Sequence, residues 1–316
     1  MAISPVNSTV QPQKKTFKEK AITTGANLTG LGIGLAVPYT TLRDTFSKTT
    51  IVDAKNTADF MSKFMPDVDT FKNTAKNINK IIKDARLDAK GVKFHSINGD
   101  SAESLRELKN IISSNIKKPN KINNRLAENY LNILSNGANA AYFSGSKDIV
   151  VNRANLYTSA YHEVGHAMNA NGGFFGRALQ KARNITPMGI SLVAPVVLAV
   201  GLLHKVDKTK PQEEKGKVEK TLDFVSNHAG KLTLASYVPL LAEEGLASYK
   251  GLREAKKFLS PDKLKKLTAN YAKAWGTYAA TAALVAGGVA LGIAVANGIK
   301  NKFAAKQAEK QASQVA

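Results

Sequence analysis

The chain has 316 residues, enough for one sizeable domain with additional segments, and it contains no cysteine, which excludes disulfides and thiolate metal ligands. Its net charge of +21 leaves nucleic acid and an anionic lipid surface as candidate partners. The Lys and Arg residues are spread along the chain and form no clustered patch of the kind that nucleic-acid binding requires. We therefore expect a lipid membrane as a partner and no nucleic acid.

The N-terminal segment, residues 1–42, combines basic residues with a weakly apolar stretch at 21–41 that carries no charge. No cleavage-site pattern follows this stretch convincingly. It is therefore expected to be a retained weak anchor, with an interfacial helix as the alternative.

Residues 43–186 are predicted to be a soluble region that begins with helices. Apolar residues recur at helical spacing in 71–85, in 105–112 and in 122–133, where Leu126 and Tyr130 belong to the predicted core stripe. A short run at 92–97 has the composition of a strand.

Two further strand-like runs, 140–143 and 148–152, flank a turn that contains Gly145. They predict an antiparallel hairpin. The hairpin leads into a helix that is expected to stop at Asn171. A rigid helix beside an edge strand can hold ligands and can take up an extended peptide by backbone pairing.

That helix carries His162-Glu163-Val164-Gly165-His166, an HExxH motif. Two histidines four residues apart lie on the same side of a helix and are close enough to share a Zn²⁺ ion. Glu163 has the position of the general base of a metallopeptidase. The alternative is a core helix that carries two hydrogen-bonded histidines.

A catalytic zinc site typically has three protein ligands, so a third ligand is expected downstream. Glu243 and Glu244 follow an apolar run and are the best candidates, and the sequence does not decide between them. A solvated helix start is the alternative interpretation of both. His228 ranks below them because it lies in no recognisable ligand motif, and Tyr161 and Tyr249 are interpreted as packing residues.

The HExxH motif and the later sequence EGLAS, which ends at Ser248, resemble the membrane gluzincins of the HtpX and CAAX-prenyl-protease type, which carry HExxH and then E-x-x-A-D. At Ser248 the chain departs from the usual Asp and is more similar to bacterial zinc peptidases of the YugP type, which carry Ala-Ser. The resemblance covers about half of the chain and implies a bacterial cell membrane as the location. It implies His162, His166 and Glu244 as zinc ligands, Glu163 as the general base and Ser248 as the partner behind a metal-binding histidine.

Two segments are predicted to enter the membrane. Residues 275–299 contain no charge over 25 positions and are long enough to span a bilayer, with a buried helix of a soluble protein as the alternative. Their glycines predict close packing against other helices. Residues 187–242 are predicted to form a membrane hairpin with arms at 187–203 and 224–242 and a charged loop at 205–222. A hairpin returns Glu244 to the side of the HExxH motif.

These features predict an α+β, mostly helical fold, with a zincin-like catalytic core that places the HExxH helix beside a small antiparallel sheet, and with membrane helices. The remaining segments are a glutamate-ligand helix with a following helix at 243–274 and a basic tail at 300–316. The predicted function is a membrane-anchored zinc-dependent endopeptidase, a hydrolase of peptide bonds in membrane or membrane-presented proteins. The alternative is a noncatalytic membrane scaffold with a structural or degenerate zinc site.

Overall fold

A computed structural model describes residues 20–34, 51–115, 121–204, 206 and 211–315. The described residues are mostly helical and contain one three-stranded sheet, which confirms an α+β, mostly helical fold. Most of the predicted N-terminal segment and part of the charged loop after residue 204 lie outside the described residues.

The elements follow one another in this order along the described chain. The helices are α1 (20–34), α2 (Ile51–Phe64), α3 (Phe71–Asp84), α4 (Ala102–Asn115), α5 (Lys121–Ser135), α6 (Ala160–Ala170), α7 (Phe174–Leu203), α8 (Lys217–Asn227), α9 (Ala229–Ala235), α10 (Val238–Ala255) and α11 (Pro261–Val315). The strands are β1 (Lys93–Ile97), β2 (Ala141–Phe143) and β3 (Asp148–Asn152).

The sheet has the order β1-β3-β2, with the fully buried strand β3 in the centre. β2 and β3 form the predicted antiparallel hairpin. β1 pairs with β3 in parallel, so the prediction of an antiparallel sheet is wrong and the sheet is mixed. The reason is the path of the chain: after β1 it passes through α4 and α5, enters the sheet edge as β2 in the opposite direction, and reverses at the hairpin turn, so β3 runs in the direction of β1.

The three predicted helical stripes correspond to α3, α4 and α5. In α5 the predicted core face is wrong, because Leu126 and Tyr130 are exposed and Leu134 is buried. The apolar periodicity therefore identified the helix but not the side of it that packs against the sheet.

The main core surrounds α6. Ile149 and Val151 of β3 pack against Val164 and Ala167 of α6, and residues of α3 and of the start of α11 complete the same cluster. The HExxH helix is thus enclosed by the sheet and by helices that come from both ends of the chain.

A second core lies in a bundle formed by α7, α9 and α11 with the start of α10. Helix α1 packs onto this bundle through glycines: a side chain at Gly30 or Gly34 would overlap atoms of α7 and α11. Gly292 of α11 lies in the same close contact, as the predicted close packing requires, whereas a side chain at Gly287 would meet nothing.

The predicted segment 275–299 is the middle of α11 and not a separate helix, since α11 begins at Pro261 and continues through the basic tail. Over Pro261–Lys310 this helix is the one among the described residues that is long and apolar enough to cross a membrane, and 44% of its apolar window is buried inside the protein. A core helix of a soluble protein meets the same criteria.

The predicted hairpin 187–242 has two unequal arms. Its first arm belongs to α7, where the apolar part with described side chains is the short stretch Val193–Leu203. Its second arm is divided among α8, α9 and the start of α10, with breaks at His228 and Ser236. The chain nevertheless turns back on itself here, because α7 packs against α8, α9 and α10 in succession.

Candidate metal centre

The HExxH motif of helix α6 lies in the interior of the protein. His166 and Glu163 are buried, whereas the side chain of His162 is 18% exposed. Solvent therefore reaches the motif from the side of His162. The helix ends as predicted, where the backbone N–H of Asn171 donates to Ala167.

Helix α10 crosses α6 at very short distance, and two glycines make this approach possible. A Cβ atom at Gly165 would overlap the backbone of Ala247, and a Cβ atom at Gly251 would overlap the backbone of Tyr161. The crossing brings the second and third turns of α10 against the histidines. Glu243 and Glu244 lie inside α10 and are buried, so the alternative of a solvated helix start is wrong.

The two histidines and Glu244 converge on one point. Glu244 Oε2 lies 3.1 Å from His162 Nε2 and 3.6 Å from His166 Nε2. The ligand atoms of the three residues all lie within 4.8 Å of one another. Metal–ligand bonds of about 2.0–2.2 Å in a tetrahedron place neighbouring ligand atoms roughly 3.3–3.6 Å apart. The spacing fits a small metal ion, and the cluster could hold one.

The other nitrogen of each histidine has its own partner. Ser248, one turn after Glu244 on α10, places its Oγ 3.0 Å from His162 Nδ1. Glu243 places Oε1 2.9 Å from His166 Nδ1 and accepts a second hydrogen bond, 3.1 Å long, from Asn169. Partners of this kind orient metal-binding imidazoles and fix the tautomer that leaves Nε2 free for the metal.

The geometry therefore separates the two adjacent glutamates. Glu244 faces both Nε2 atoms, whereas Glu243 lies behind His166. Consecutive residues on a helix point about 100° apart, so only one of the two can face the shared point. The sequence left this choice open, and the geometry favours Glu244 as the ligand.

Arg183 of α7 lies against the outer side of both glutamates. Its Nε atom is 2.8 Å from Glu244 Oε1 and 3.4 Å from Glu243 Oε2. Neither oxygen receives a well-aligned hydrogen bond within the described part of the chain, so the contact is an ion pair. Each glutamate thus directs one oxygen to a histidine and the other to the guanidinium group.

These contacts shift two pKa values in opposite directions. Burial and the positive charge of Arg183 lower the pKa of the His166 imidazole. The hydrogen bonds of His166 to Glu243 and Glu244, with the charge of Glu163, outweigh these two effects and raise this pKa to about 9. Burial raises the pKa of the Glu244 carboxyl, but the two histidines and the guanidinium group hold it well below its usual range. The metal-free cluster therefore favours a proton on His166 and a charge on Glu244.

The cluster has an excess of negative charge. In their ionised forms Glu163, Glu243 and Glu244 carry three negative charges, and Arg183 supplies one positive charge. Buried charges need compensation. A divalent cation would balance the remaining two charges while both histidines stay neutral, which is the form of imidazole that binds a metal.

The lower-ranked ligand candidate His228 and the two tyrosines interpreted as packing residues lie apart from the cluster. His228 is at the junction of α8 and α9, with Nδ1 2.9 Å from the carbonyl oxygen of Phe224. Tyr161 is fully buried on the opposite side of α6 and accepts a hydrogen bond from Asn77. Tyr249 is exposed.

Sequence reasoning missed Arg183, Asn169 and Tyr271. The ring of Tyr271, on α11, lies edge-on to His162 with the ring centres 5.4 Å apart. Arg183 was visible only as the last charge before an apolar run. Two buried glutamates need a positive charge nearby, and this requirement could have pointed to such a residue.

Comparison with models of protein families, with curated proteins and with solved structures finds no match to this chain.

Proposed function

We propose that this protein is a zinc-dependent endopeptidase anchored at a membrane, with His162, His166 and Glu244 as the metal ligands. The observation that carries the proposal is the convergence of two imidazole nitrogens and one carboxylate oxygen beside Glu163. Three protein ligands leave a position open, which is typical of catalytic zinc and not of structural zinc. Two imidazoles with a carboxylate bind several divalent metals, and the HExxH spacing on one helix is the feature that favours Zn²⁺.

The residues around the metal would have separate roles. Zn²⁺ bound here would polarise the scissile carbonyl and lower the pKa of water toward about 7. Glu163 lies next to His162 in sequence but outside the ligand set. It would accept a proton from the attacking water and pass that proton to the leaving amine. Ser248 and Glu243 would hold the imidazoles in place.

The proposed substrates are peptide segments of membrane proteins or of proteins presented at the bilayer. Trp275, where the apolar part of α11 begins, donates a 2.9 Å hydrogen bond to the carbonyl oxygen of Leu241 on α10. The metal cluster therefore lies within a turn or two of the point where the apolar segment starts. The edge strand β2, which contacts α6, offers backbone groups for pairing with an extended peptide.

Membrane anchoring is proposed for the outer face of α11, where Leu284 and Leu291 are each 54% exposed. Helix α9 limits how lipid can surround this helix. Lys231 is exposed on α9, and the neighbouring Gly230 packs against Ala286 of α11 near the middle of the apolar segment. The lipid-facing side of the bundle would therefore be the side away from α9.

The proposal is tested by zinc content and by cleavage of a mixture of membrane proteins, with full-length protein purified in detergent. Wild type is expected to bind about one zinc ion per chain. A His162→Ala, His166→Ala double variant is expected to bind none. Glu163→Gln is expected to retain zinc and to lose at least about a hundredfold in activity, because only the proton acceptor is removed.

The same experiment distinguishes the noncatalytic scaffold. A scaffold has no need for a base beside its metal ligands, so wild type and Glu163→Gln would then behave alike, with zinc bound and no cleavage in either. Wild type without zinc, even after incubation with excess metal, would overturn the metal site itself.

A further inference from the structure

Glu244 has different partners on its two carboxylate oxygens. Oε2 faces the two histidines, and Oε1 lies 2.8 Å from Nε of Arg183. A carboxylate can bind a metal through one oxygen or through both, and the choice changes the number of positions left for other ligands. The orientation of Glu244 therefore matters for any reaction at this site.

We propose that Arg183 is a positioning residue that keeps Glu244 a one-oxygen ligand and so keeps a coordination position open. This inference rests on the proposed metal site. With Oε1 engaged by the guanidinium group, the protein contributes three ligand atoms. If both oxygens of Glu244 turned to the metal, the protein would contribute four ligand atoms, and a bound water would make the site five-coordinate.

Glu243 is a second carboxylate partner that holds the guanidinium group of Arg183 in place. Its Oε1 is fixed by His166 and Asn169, and its Oε2 lies 3.4 Å from the same Arg183 Nε atom. The guanidinium group is therefore held between two buried carboxylates whose other oxygens already have partners. Rotation of Glu244 toward the metal would take Oε1 away from the guanidinium group and leave Arg183 with the 3.4 Å contact to Glu243 alone, and separating charges at a buried carboxylate is unfavourable.

Arg177 provides a matched control on the same helix. Its Nη1 donates a 2.8 Å hydrogen bond to the carbonyl oxygen of Gly172, and it contacts neither glutamate. Replacement of Arg177 removes the same side chain and the same charge from α7 without touching the cluster.

The test uses full-length protein loaded with Co²⁺, whose visible absorption is intense in four-coordinate sites and weaker in five-coordinate sites. Wild type and Arg177→Met are expected to give the intense spectrum. Arg183→Met is expected to bind about one cobalt ion with a clearly weaker spectrum, because Glu244 is released to bind through both oxygens. A cobalt-bound Arg183→Met with the wild-type spectrum would overturn the proposal, as would a folded variant that binds no cobalt.

A second measurement needs no variant and decides the matter if Arg183→Met does not fold. X-ray absorption of zinc-loaded wild type is expected to show four ligand atoms, and no short zinc–carbon distance of the kind that a two-oxygen carboxylate produces. Such a distance would overturn the role of Arg183 while leaving the metal site intact. Failure of wild type to bind any metal would instead overturn the proposed function on which this inference rests.

Discussion

The hydrogen bond between Ser248 and His162 controls how well one proposed ligand is oriented. Ser248→Ala removes the 3.0 Å contact to His162 Nδ1 and leaves Nε2 free to turn away from Glu244. Loss of a partner of this kind typically weakens metal binding by about 10–100-fold, and we expect the lower end because a neutral hydroxyl is replaced. Competition with a chelator measures the change in zinc affinity.

Two further variants make that measurement specific. Ser248→Asp restores a hydrogen-bond acceptor and adds a charge, so its zinc affinity is expected to equal or exceed that of wild type. Ser236→Ala removes a hydroxyl that donates to the backbone carbonyl of Thr233, away from the cluster, and it should leave zinc affinity unchanged. Equal affinity in Ser248→Ala and wild type would show that the contact does not support the metal site.

Local spacing explains which site residues the sequence could identify. His162 and His166 are one turn apart on α6, and Glu244 and Ser248 are one turn apart on α10, so each pair shares a face once a helix is assumed. Arg183 could not be placed in this way. Its contact with the glutamates depends on where α7 passes α10, and that is set by the packing of the whole bundle.

At the scale of elements, the short distance between α6 and α10 is what assembles the cluster. Gly165→Ala would force the helices apart, because its Cβ would overlap the backbone of Ala247, and backbone cannot move aside as a side chain can. We expect a loss of at least about 2–3 kcal/mol in stability and the loss of zinc binding. Thermal unfolding and zinc content of the purified variant measure both effects.

Gly276→Ala is the matched control for that substitution. Gly276 is also inside a helix, but a Cβ there meets nothing within 4 Å. Alanine is the better helix former by about 1 kcal/mol, so this variant should be as stable as wild type or more stable. If Gly165→Ala unfolded at the same temperature as Gly276→Ala, the close crossing would not hold in solution.

The element boundaries were harder to predict than the elements themselves. The hairpin β2–β3 and the strand β1 follow from local composition, but the parallel pairing of β1 depends on a crossover through α4 and α5. Helix α11 was divided in the prediction at residue 275, where the composition becomes apolar. Backbone hydrogen bonding continues across that point because it does not depend on the polarity of the side chains.

An ion pair links the start of α11 to the segment before α3. Lys263 Nζ lies 2.8 Å from Asp69 Oδ1. Burial raises the pKa of Asp69, but hydrogen bonds from Lys263, Thr70 and Asn73 outweigh it and leave the pKa below the ordinary value of 3.8. A lowered pKa of an acid stabilises the folded state above the unfolded-state value, and this stabilisation is lost as the pH falls through the folded-state value.

Lys263→Met is therefore expected to destabilise the protein in a pH-dependent way. The loss near pH 7 is about 0.5–1 kcal/mol, because the Lys263 side chain is half exposed and partly screened by solvent. It should shrink on acidification below pH 3.8. Thermal unfolding near neutral pH and near pH 2 measures the difference.

Lys80→Met is the control, because it removes an exposed pair with Asp84 and should show a smaller loss of stability. A loss of stability in Lys263→Met that persists unchanged in acid would exclude the ion pair as its cause.

At the scale of the whole molecule, the candidate site is formed by segments far apart in sequence. The histidines come from α6, Arg183 from α7 and the glutamates from α10, and α8 and α9 lie between the last two. The site therefore exists only when the sheet region and the helical bundle have both folded. This arrangement places the candidate site at the boundary between the sheet region and the apolar part of α11.

Whether that apolar part faces lipid or water determines the final prediction. Leu284 and Leu291 are each 54% exposed on α11. Their double replacement by Lys would cost roughly 2.5–3.5 kcal/mol per site near the centre of a bilayer, but only about 0.5 kcal/mol or less on a surface in water. If α11 is embedded, wild type should stay with membranes after carbonate extraction, and the double variant should be released or fail to insert. Ala304→Lys with Ala305→Lys adds the same charge beyond the apolar segment and should be retained like wild type. Release of wild type itself would show that α11 is the core helix of a soluble protein, and the proposed peptidase would then act in water.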